Sequence, residues 1–316
     1  MTQNTAKLAL LIANEYHSEK ISRLDALFDT HKLWIHNAKE QMELVNSLKS
    51  SCKAVATASW ATSPLIYELP HLEIISCFGV GVDGIDFGIT RNRCVKVTNT
   101  PDVLNDAVAD IAMALILATQ RNLINAEKYV RQGNWQHGPF PLGTSLAGKR
   151  LGILGLGSIG EDIARRAVTF KLQVAYHNRK PKKVPYTYYD SAEALAKSSD
   201  ILLCMLPGGS DTENIINQDI LRALGPEGIF INVGRGTSVD EDALAYALKT
   251  GEIRAAGLDV YRNEPVVHTE LIELENVVLL PHIGSATRET RRAMGELVIE
   301  NLLAWTNNRE LTTPVR

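Results

Sequence analysis

The stretch at residues 150–160, Arg-Leu-Gly-Ile-Leu-Gly-Leu-Gly-Ser-Ile-Gly, places the strongest constraint on how this chain folds. An apolar run at 151–154 is typical of a buried parallel strand, and it leads directly into a G-x-G-x-x-G pattern. In that pattern the first glycine makes a tight turn, the second admits a pyrophosphate, and the third lets the next helix pack closely. The helix, predicted from 159 to about 170, directs its free N–H groups at the phosphates. Strand, turn and helix in this order favour a dinucleotide site over an ordinary turn, formed by Gly155, Leu156, Gly157, Ser158, Ile159 and Gly160.

The next predicted strand, residues 172–176, ends in a basic loop that bears on which dinucleotide is bound. An NAD site usually has an acidic residue about 20 positions after the glycines, where it holds the ribose 2′-hydroxyl. Here that distance leads to Asn178, followed by Arg179 and Lys180, and the next acidic residue is Asp190. A guanidinium can clamp a 2′-phosphate, whereas a carboxylate repels it. We interpret the loop as an NADPH site, with NADH the weaker alternative; a solvated basic loop is the plain structural explanation.

Composition narrows the class of protein. The chain has 316 residues, 45% of them hydrophobic, which is enough for two globular domains, and its formal charge of −3 gives no reason to predict binding to nucleic acid or a membrane surface. The four cysteines form no C-x-x-C pair or zinc-spaced cluster, which predicts reduced, mostly buried thiols, no metal site and a cytoplasmic protein. The apolar run at 8–13 is too short for a membrane span and lacks the features of a signal peptide.

Short apolar runs alternate with helical patterns along the whole chain, which predicts parallel α/β sheets. A long helix is predicted at 105–131; its middle is apolar all round, which indicates burial on several sides and an interdomain and subunit-contact role. Before the glycine motif, strands are predicted at 8–12, 33–35, 54–58, 74–77 and 95–97, and helices at 19–28 and 40–48. After it, strands are predicted at 200–205, 229–233, 254–260 and 276–280, and a final helix at 287–306.

A second glycine-rich loop, residues 78–86, follows the predicted strand at 74–77. It holds three glycines within six residues, and its bare backbone amides are suited to an anion at the carboxyl end of a strand. A plain turn between strand and helix explains the same residues equally well, so the pattern alone leaves the question open.

Three of the later strands end in side chains suited to acid–base chemistry: Arg235, Glu264 and His282. Hydride transfer needs a group that moves the matching proton, and a histidine titrates near neutral pH. A carboxylate behind the imidazole fixes its tautomer and favours its protonated form, and a guanidinium can hold a substrate carboxylate and polarise the neighbouring carbonyl. Taken one at a time, Arg235 is explained as part of a surface ion pair, Glu264 as a helix cap and His282 as a hydrogen-bonded core histidine. Their joint placement at one sheet edge favours catalysis.

Five ordered motifs, at 155–160, 231–236, 257–261, 263–265 and 280–285, resemble the D-isomer-specific 2-hydroxyacid dehydrogenases, and the resemblance spans nearly the whole chain. Within the family the chain is similar to glyoxylate/hydroxypyruvate reductases and plant-type hydroxyphenylpyruvate reductases. The resemblance implies an α/β fold of two Rossmann-like, doubly wound parallel-sheet domains with the active site in the cleft between them, and usually a homodimer. Residues 1–100 and 286–316 then form a discontinuous, flavodoxin-like substrate domain, and 101–285 the dinucleotide-binding domain.

The same resemblance implies roles for individual residues. Arg235 binds the carboxylate and carbonyl of a 2-oxo acid, His282 donates the proton, and Glu264 supports His282. The amides of Val80 and Gly81 match the family's carboxylate-binding loop, which decides the question left open above. The nicotinamide half is lined by Leu206, Pro207, Val233, Gly234, Asp259 and Gly284, with Arg235 and His282 beside it. The product is a D-2-hydroxy acid.

The sequence alone does not determine which 2-oxo acid is the substrate. The pocket wall is predicted to include Ser59, Trp60 and Val80, and Trp60 either narrows the pocket toward small acids or stacks on an aromatic one. Glyoxylate and hydroxypyruvate are favoured over hydroxyphenylpyruvate, phenylpyruvate and 2-ketogluconate. Phosphoglycerate dehydrogenase is the runner-up activity, and formate dehydrogenase is disfavoured because that branch has Gln in place of Glu264. A dinucleotide-sensing co-repressor of the same fold is disfavoured by the low net charge and the basic loop.

Overall fold

The structure is a computed structural model, and it describes residues 7–15, 18–58 and 62–315. Within them the chain forms two compact units, one from Met1–Leu104 and Thr287–Arg316 and the other from Asn105–Ala286. Each unit is built on one parallel sheet, so the predicted fold of two parallel-sheet α/β domains is confirmed. The domain limits and the roles given to them above stay predictions.

The first unit has a five-stranded sheet in the order β2-β1-β3-β4-β5. Its central strands at 54–58 and 74–78 are completely buried and mostly apolar because helices cover the sheet, whereas β2 lies at the edge and is partly exposed. The strands are β1 (Ala9–Ile12), β2 (Asp29–Lys32), β3 (Ala54–Ala58), β4 (Ile74–Phe78) and β5 (Lys96–Thr98). The helices are α1 (Ser18–Leu27), α2 (Ala38–Leu48), α3 (Phe87–Asn92) and α11 (Arg288–Thr306).

The second unit has a seven-stranded sheet in the order β12-β11-β10-β9-β6-β7-β8. The strands are β6 (Arg150–Leu154), β7 (Gln173–His177), β8 (Thr187–Tyr188), β9 (Ile201–Cys204), β10 (Ile229–Asn232), β11 (Ala255–Leu258) and β12 (Val277–Leu279). The helices are α4 (Asn105–Gln120), α5 (Leu123–Arg131), α6 (Ser158–Thr169), α7 (Ala192–Lys197), α8 (Gln218–Leu224), α9 (Glu241–Thr250) and α10 (Thr269–Glu273). Because every pairing is parallel, the loops that follow the strands emerge at one edge of the sheet.

Two predicted elements are wrong. The strand predicted at 33–35 is a 3₁₀ turn, Leu33–Ile35, and the strand itself is Asp29–Lys32, whose polar sequence belongs to an edge strand. The long helix predicted at 105–131 is two helices, because Asn122 adopts a left-handed φ of +51° between α4 and α5. The other predicted strands are present, with ends shifted by at most two residues.

Among the described helices, none is by itself long and apolar enough to cross a membrane, although α4 and α5 together meet that criterion with a bend of 63° between them. The four cysteines are free thiols; Cys52, Cys77 and Cys204 are buried and Cys94 is exposed.

Candidate active site

The glycine loop follows β6 and leads into α6. Gly155 has a φ of +93°, and a Cβ there would lie 2.9 Å from Met205 O; a Cβ at Gly160 would lie 2.7 Å from Gly155 O. At Gly157, the N-cap of α6, a Cβ would meet no described atom within 4 Å beyond its own neighbours. The turn and the helix contact are therefore tight, while the middle of the loop faces open space. This arrangement fits a pyrophosphate held by the first amides of α6.

Asn178, at the position where an NAD site has its acid, is bound to the glycine loop. Its Oδ1 accepts a hydrogen bond from Leu156 N at 2.7 Å, and its Nδ2 donates to Leu156 O at 3.2 Å. Lys182 Nζ also donates to Leu156 O, at 3.2 Å. Arg179 and Lys180 are exposed beside them. The side chain of Asn178 thus fixes the loop backbone, and Arg179 and Lys180 add two exposed positive charges at this end of β7.

The residues predicted to line the nicotinamide lie in the loops after four neighbouring strands. A Cβ at Gly234 would lie 2.7 Å from Leu206 O, so the loops after β9 and β10 touch. The buried carboxylate of Asp259 accepts hydrogen bonds from Ile283 N and Gly284 N, each at 2.7 Å, and so joins the loops after β11 and β12. Burial raises the pKa of Asp259 despite these two donors. These loops contain Leu206, Pro207, Val233, Gly234, Asp259 and Gly284.

Glu264 and His282 form a short contact between the loops after β11 and β12. Glu264 Oε2 lies 2.6 Å from His282 Nδ1, and Glu264 Oε1 accepts a hydrogen bond from Tyr261 N at 2.9 Å. Burial alone would raise the pKa of Glu264, but the hydrogen bonds from His282 and Tyr261 N, with the charges of His282 and Arg235, lower it. Glu264 is therefore a carboxylate whose negative charge favours an N–H on His282 Nδ1, which leaves Nε2 to face another partner.

Arg235 follows β10 and lies close enough for its charge to act on Glu264. Its Nη1 donates a hydrogen bond to Gly234 O at 2.9 Å. The next residue, Gly236, meets the loop of Glu264, because a Cβ there would lie 1.8 Å from Tyr261 C. Only glycine fits at this contact, which draws the loops carrying Arg235 and Glu264 together. The structure thus brings Arg235, Glu264 and His282 to one sheet edge.

Val80 and Gly81 belong to the other unit, in the loop after β4. Gly79 N donates to Thr100 Oγ1 at 3.0 Å, and Asn99 Nδ2 donates to Val80 O at 2.8 Å. These contacts fix the backbone of the loop. The predicted wall residues Ser59 and Trp60 lie outside the described residues.

Several residues that hold these loops were missed by the sequence analysis. Asn99 and Thr100 received no role, and Asn232 was quoted only as part of a motif. A signal was available for Asn232, since a polar residue that ends a buried apolar strand needs hydrogen-bond partners. For Asn99 and Thr100 the sequence offers no such signal, because their contacts with the loop after β4 exist only in the folded unit.

Comparison with known proteins agrees with the fold and identifies the family. The family described as D-isomer specific 2-hydroxyacid dehydrogenase, NAD binding domain, matches residues 113–284. Hydroxyphenylpyruvate reductase of Plectranthus scutellarioides is 46% identical over 92% of this chain and 94% of its own length. A glyoxylate/hydroxypyruvate reductase of Arabidopsis thaliana is 44% identical over 93% and 94%.

A solved structure of NADPH-dependent glyoxylate/hydroxypyruvate reductase from Sinorhizobium meliloti, in complex with NADP and malonate, superposes with a TM-score of 0.90. It is 41% identical, and the match covers 98% of this chain and 97% of the other. This chain belongs to the family of D-isomer specific 2-hydroxyacid dehydrogenases.

Proposed function

We propose that this protein reduces a 2-oxo acid to the D-2-hydroxy acid with NADPH, and that glyoxylate or hydroxypyruvate is the substrate. The observation that carries the proposal is the 2.6 Å contact between Glu264 and His282, with the charge of Arg235 acting on the same carboxylate. An imidazole held in this way is an acid with a defined tautomer, next to a guanidinium suited to a carboxylate. This is the set of groups that the reduction of a 2-oxo acid needs.

In the proposed reaction, each residue of the site has a separate role. Arg235 holds the substrate carboxylate and polarises the carbonyl. His282 Nδ1–H is held by Glu264, so the proton is delivered from Nε2 to the substrate oxygen. Glu264 stabilises the positive imidazolium before that transfer. The coenzyme, when bound along the glycine loop at residues 155–160, supplies the hydride.

The basic end of β7 supports NADPH over NADH. Arg179 and Lys180 are exposed there, and their positive charges suit a 2′-phosphate. Asn178 adds no negative charge and is engaged with Leu156, so we assign the phosphate contacts to the two cations. The relatives include enzymes named for NADPH, for glyoxylate or hydroxypyruvate, and for hydroxyphenylpyruvate.

A substrate and coenzyme panel tests the proposal. We expect kcat/KM with NADPH to rank glyoxylate or hydroxypyruvate above phenylpyruvate, hydroxyphenylpyruvate and 2-ketogluconate, and KM for NADPH to be lower than KM for NADH. The measurement is the initial rate of coenzyme oxidation at 340 nm with each acid. If the aromatic acids ranked first, the proposed substrate class would be wrong, and if KM were lower for NADH, the proposed coenzyme would be wrong. If no acid were reduced, the whole proposal would be refuted.

We also propose that the protein is a cytoplasmic homodimer. Its four free thiols support a reducing compartment. Around α5 and the segment after it, large apolar side chains are exposed, and their grouping supports a subunit contact; they are Leu123, Ile124, Val130, Trp135 and Leu142. We expect light scattering of the intact chain to give the mass of two chains, and a monomer mass at micromolar concentration would contradict this contact.

A further inference from the structure

The backbone carbonyl of Arg235 is a convergence point for three donors. Asn232 Nδ2 donates to it at 3.1 Å, Ser238 Oγ at 2.6 Å and Ser238 N at 3.3 Å. Asn232 also accepts a hydrogen bond from Gly234 N at 3.0 Å through Oδ1. Asn232 and Ser238 are both completely buried, so these hydrogen bonds form without competition from solvent. The side chains of Asn232 and Ser238 thus fix the backbone of the turn that carries Arg235.

A third side chain joins this group through the hydroxyl of Ser238. Cys204 Sγ lies 3.3 Å from Ser238 Oγ. A serine hydroxyl has one proton, and here it is committed to the Arg235 carbonyl, so the thiol is the donor in the contact with Cys204. Cys204 is fully buried in β9, and burial raises the pKa of its thiol, which keeps the proton in place. The Cys204 thiol therefore donates to the Ser238 hydroxyl, and that hydroxyl donates to the carbonyl of Arg235.

Close contacts keep the same turn from moving away. A Cβ at Gly234 would meet Leu206 O at 2.7 Å, and a Cβ at Gly236 would meet Tyr261 C at 1.8 Å. These contacts prevent the turn from moving toward the loops after β9 and β11. The hydrogen bonds to the Arg235 carbonyl restrict its movement further. The backbone of Arg235 is accordingly fixed in an extended conformation, with φ −134° and ψ 141°, immediately before a 3₁₀ turn. A long, flexible arginine side chain can aim its guanidinium reproducibly only from such a fixed backbone.

We propose that Asn232 and Ser238 are positioning residues that aim Arg235 at the substrate carboxylate, and that Cys204 supports them by donating a hydrogen bond to Ser238. This inference rests on the proposed function, in which Arg235 binds the 2-oxo acid. It assigns to the buried polar residues around β9 and β10 a part in substrate affinity. They do not touch the substrate themselves.

The test compares two buried serines of the same unit. Ser238→Ala removes the donor to the Arg235 carbonyl, whereas Ser199→Ala removes an equivalent hydrogen bond, from Ser199 Oγ to Leu195 O at 2.7 Å, away from Arg235. The probe is oxamate, an unreactive isostere of a 2-oxo acid, titrated onto the intact protein with saturating NADPH. We expect Ser238→Ala to weaken oxamate binding about fivefold, as for the loss of one hydrogen bond, and to leave the Kd for NADPH within about twofold. Ser199→Ala should lower only the melting temperature.

A second pair of variants separates positioning from packing. Cys204→Ser keeps a donor next to Ser238 and is expected to keep the oxamate affinity of the parent, whereas Cys204→Ala removes the donor and is expected to weaken it about twofold to fivefold. Unchanged oxamate affinity in Ser238→Ala would overturn the inference, and so would equal losses of oxamate and NADPH affinity. If the parent protein binds oxamate but reduces no 2-oxo acid, the proposed function fails instead.

Discussion

Replacing His282 with alanine is expected to lower kcat for 2-oxo acid reduction by about 10³-fold, while the Kd for NADPH stays within about twofold. A positioned general acid contributes about 10²- to 10⁴-fold to a rate, and His282 is the imidazole held against the carboxylate of Glu264. Arg235 and the glycine loop at 155–160 remain in the variant, so substrate and coenzyme still bind. The loss is therefore expected in kcat and not in affinity.

The measurement pairs steady-state kcat with a fluorescence titration of NADPH. The matched control is His268→Ala, because His268 Nε2 also contacts a carboxylate, Asp242 Oδ1, at 3.0 Å in the same unit. We expect that variant to keep the kcat of the parent, which would show that the loss of a histidine–carboxylate contact is harmless elsewhere. A His282→Ala enzyme with the parent's kcat would remove His282 from the proposed role.

The parts of this site that the sequence predicts are those fixed by strand ends. In a parallel sheet every strand delivers its following loop to the same edge, so Arg235, Glu264 and His282 could be placed together once their strands were recognised. The glycine motif was equally readable from its pattern, since the contact of Gly160 with Gly155 O is local to one strand, turn and helix, although Gly155 itself meets Met205 in the loop after β9.

The rest depends on contacts between residues far apart in the chain. Asn178 matches the position of an acid in an NAD site, but its bidentate contact with Leu156 exists only in the fold. The hydrogen bond between Cys204 and Ser238 crosses from β9 to the turn after β10 in the same way. The edge strand at Asp29–Lys32 was missed for a different reason, because partly exposed strands lack the apolar run by which buried strands are recognised.

Replacing Glu264 with glutamine is expected to lower kcat/KM for reduction by about tenfold at neutral pH. Glu264 accepts two N–H groups, one from His282 Nδ1 through Oε2 and one from Tyr261 N through Oε1. A glutamine has a single acceptor oxygen, so its NH₂ group must face one of those two donors. Either the imidazolium loses its acceptor or the loop after β11 loses its anchor, and the negative charge is gone in both cases.

The measurement is kcat/KM for 2-oxo acid reduction at pH 7 in the parent and in Glu264→Gln. The matched control is Glu241→Gln, because Glu241 is also buried and accepts from Arg262 N at 2.8 Å. We expect that control to keep the kcat/KM of the parent.

Stability provides a second measurement on the same carboxylate. The pKa of Glu264 is lowered in the folded protein, so its contribution to the free energy of unfolding is present above the pKa of an unfolded glutamate, about 4.3. That contribution is lost as the pH falls through the lower, folded value. The difference in unfolding free energy between the parent and Glu264→Gln should therefore be full at pH 7 and shrink on acidification below about pH 4. A difference independent of pH, together with an unchanged kcat/KM at pH 7, would show that Glu264 acts only through packing and not through its charge.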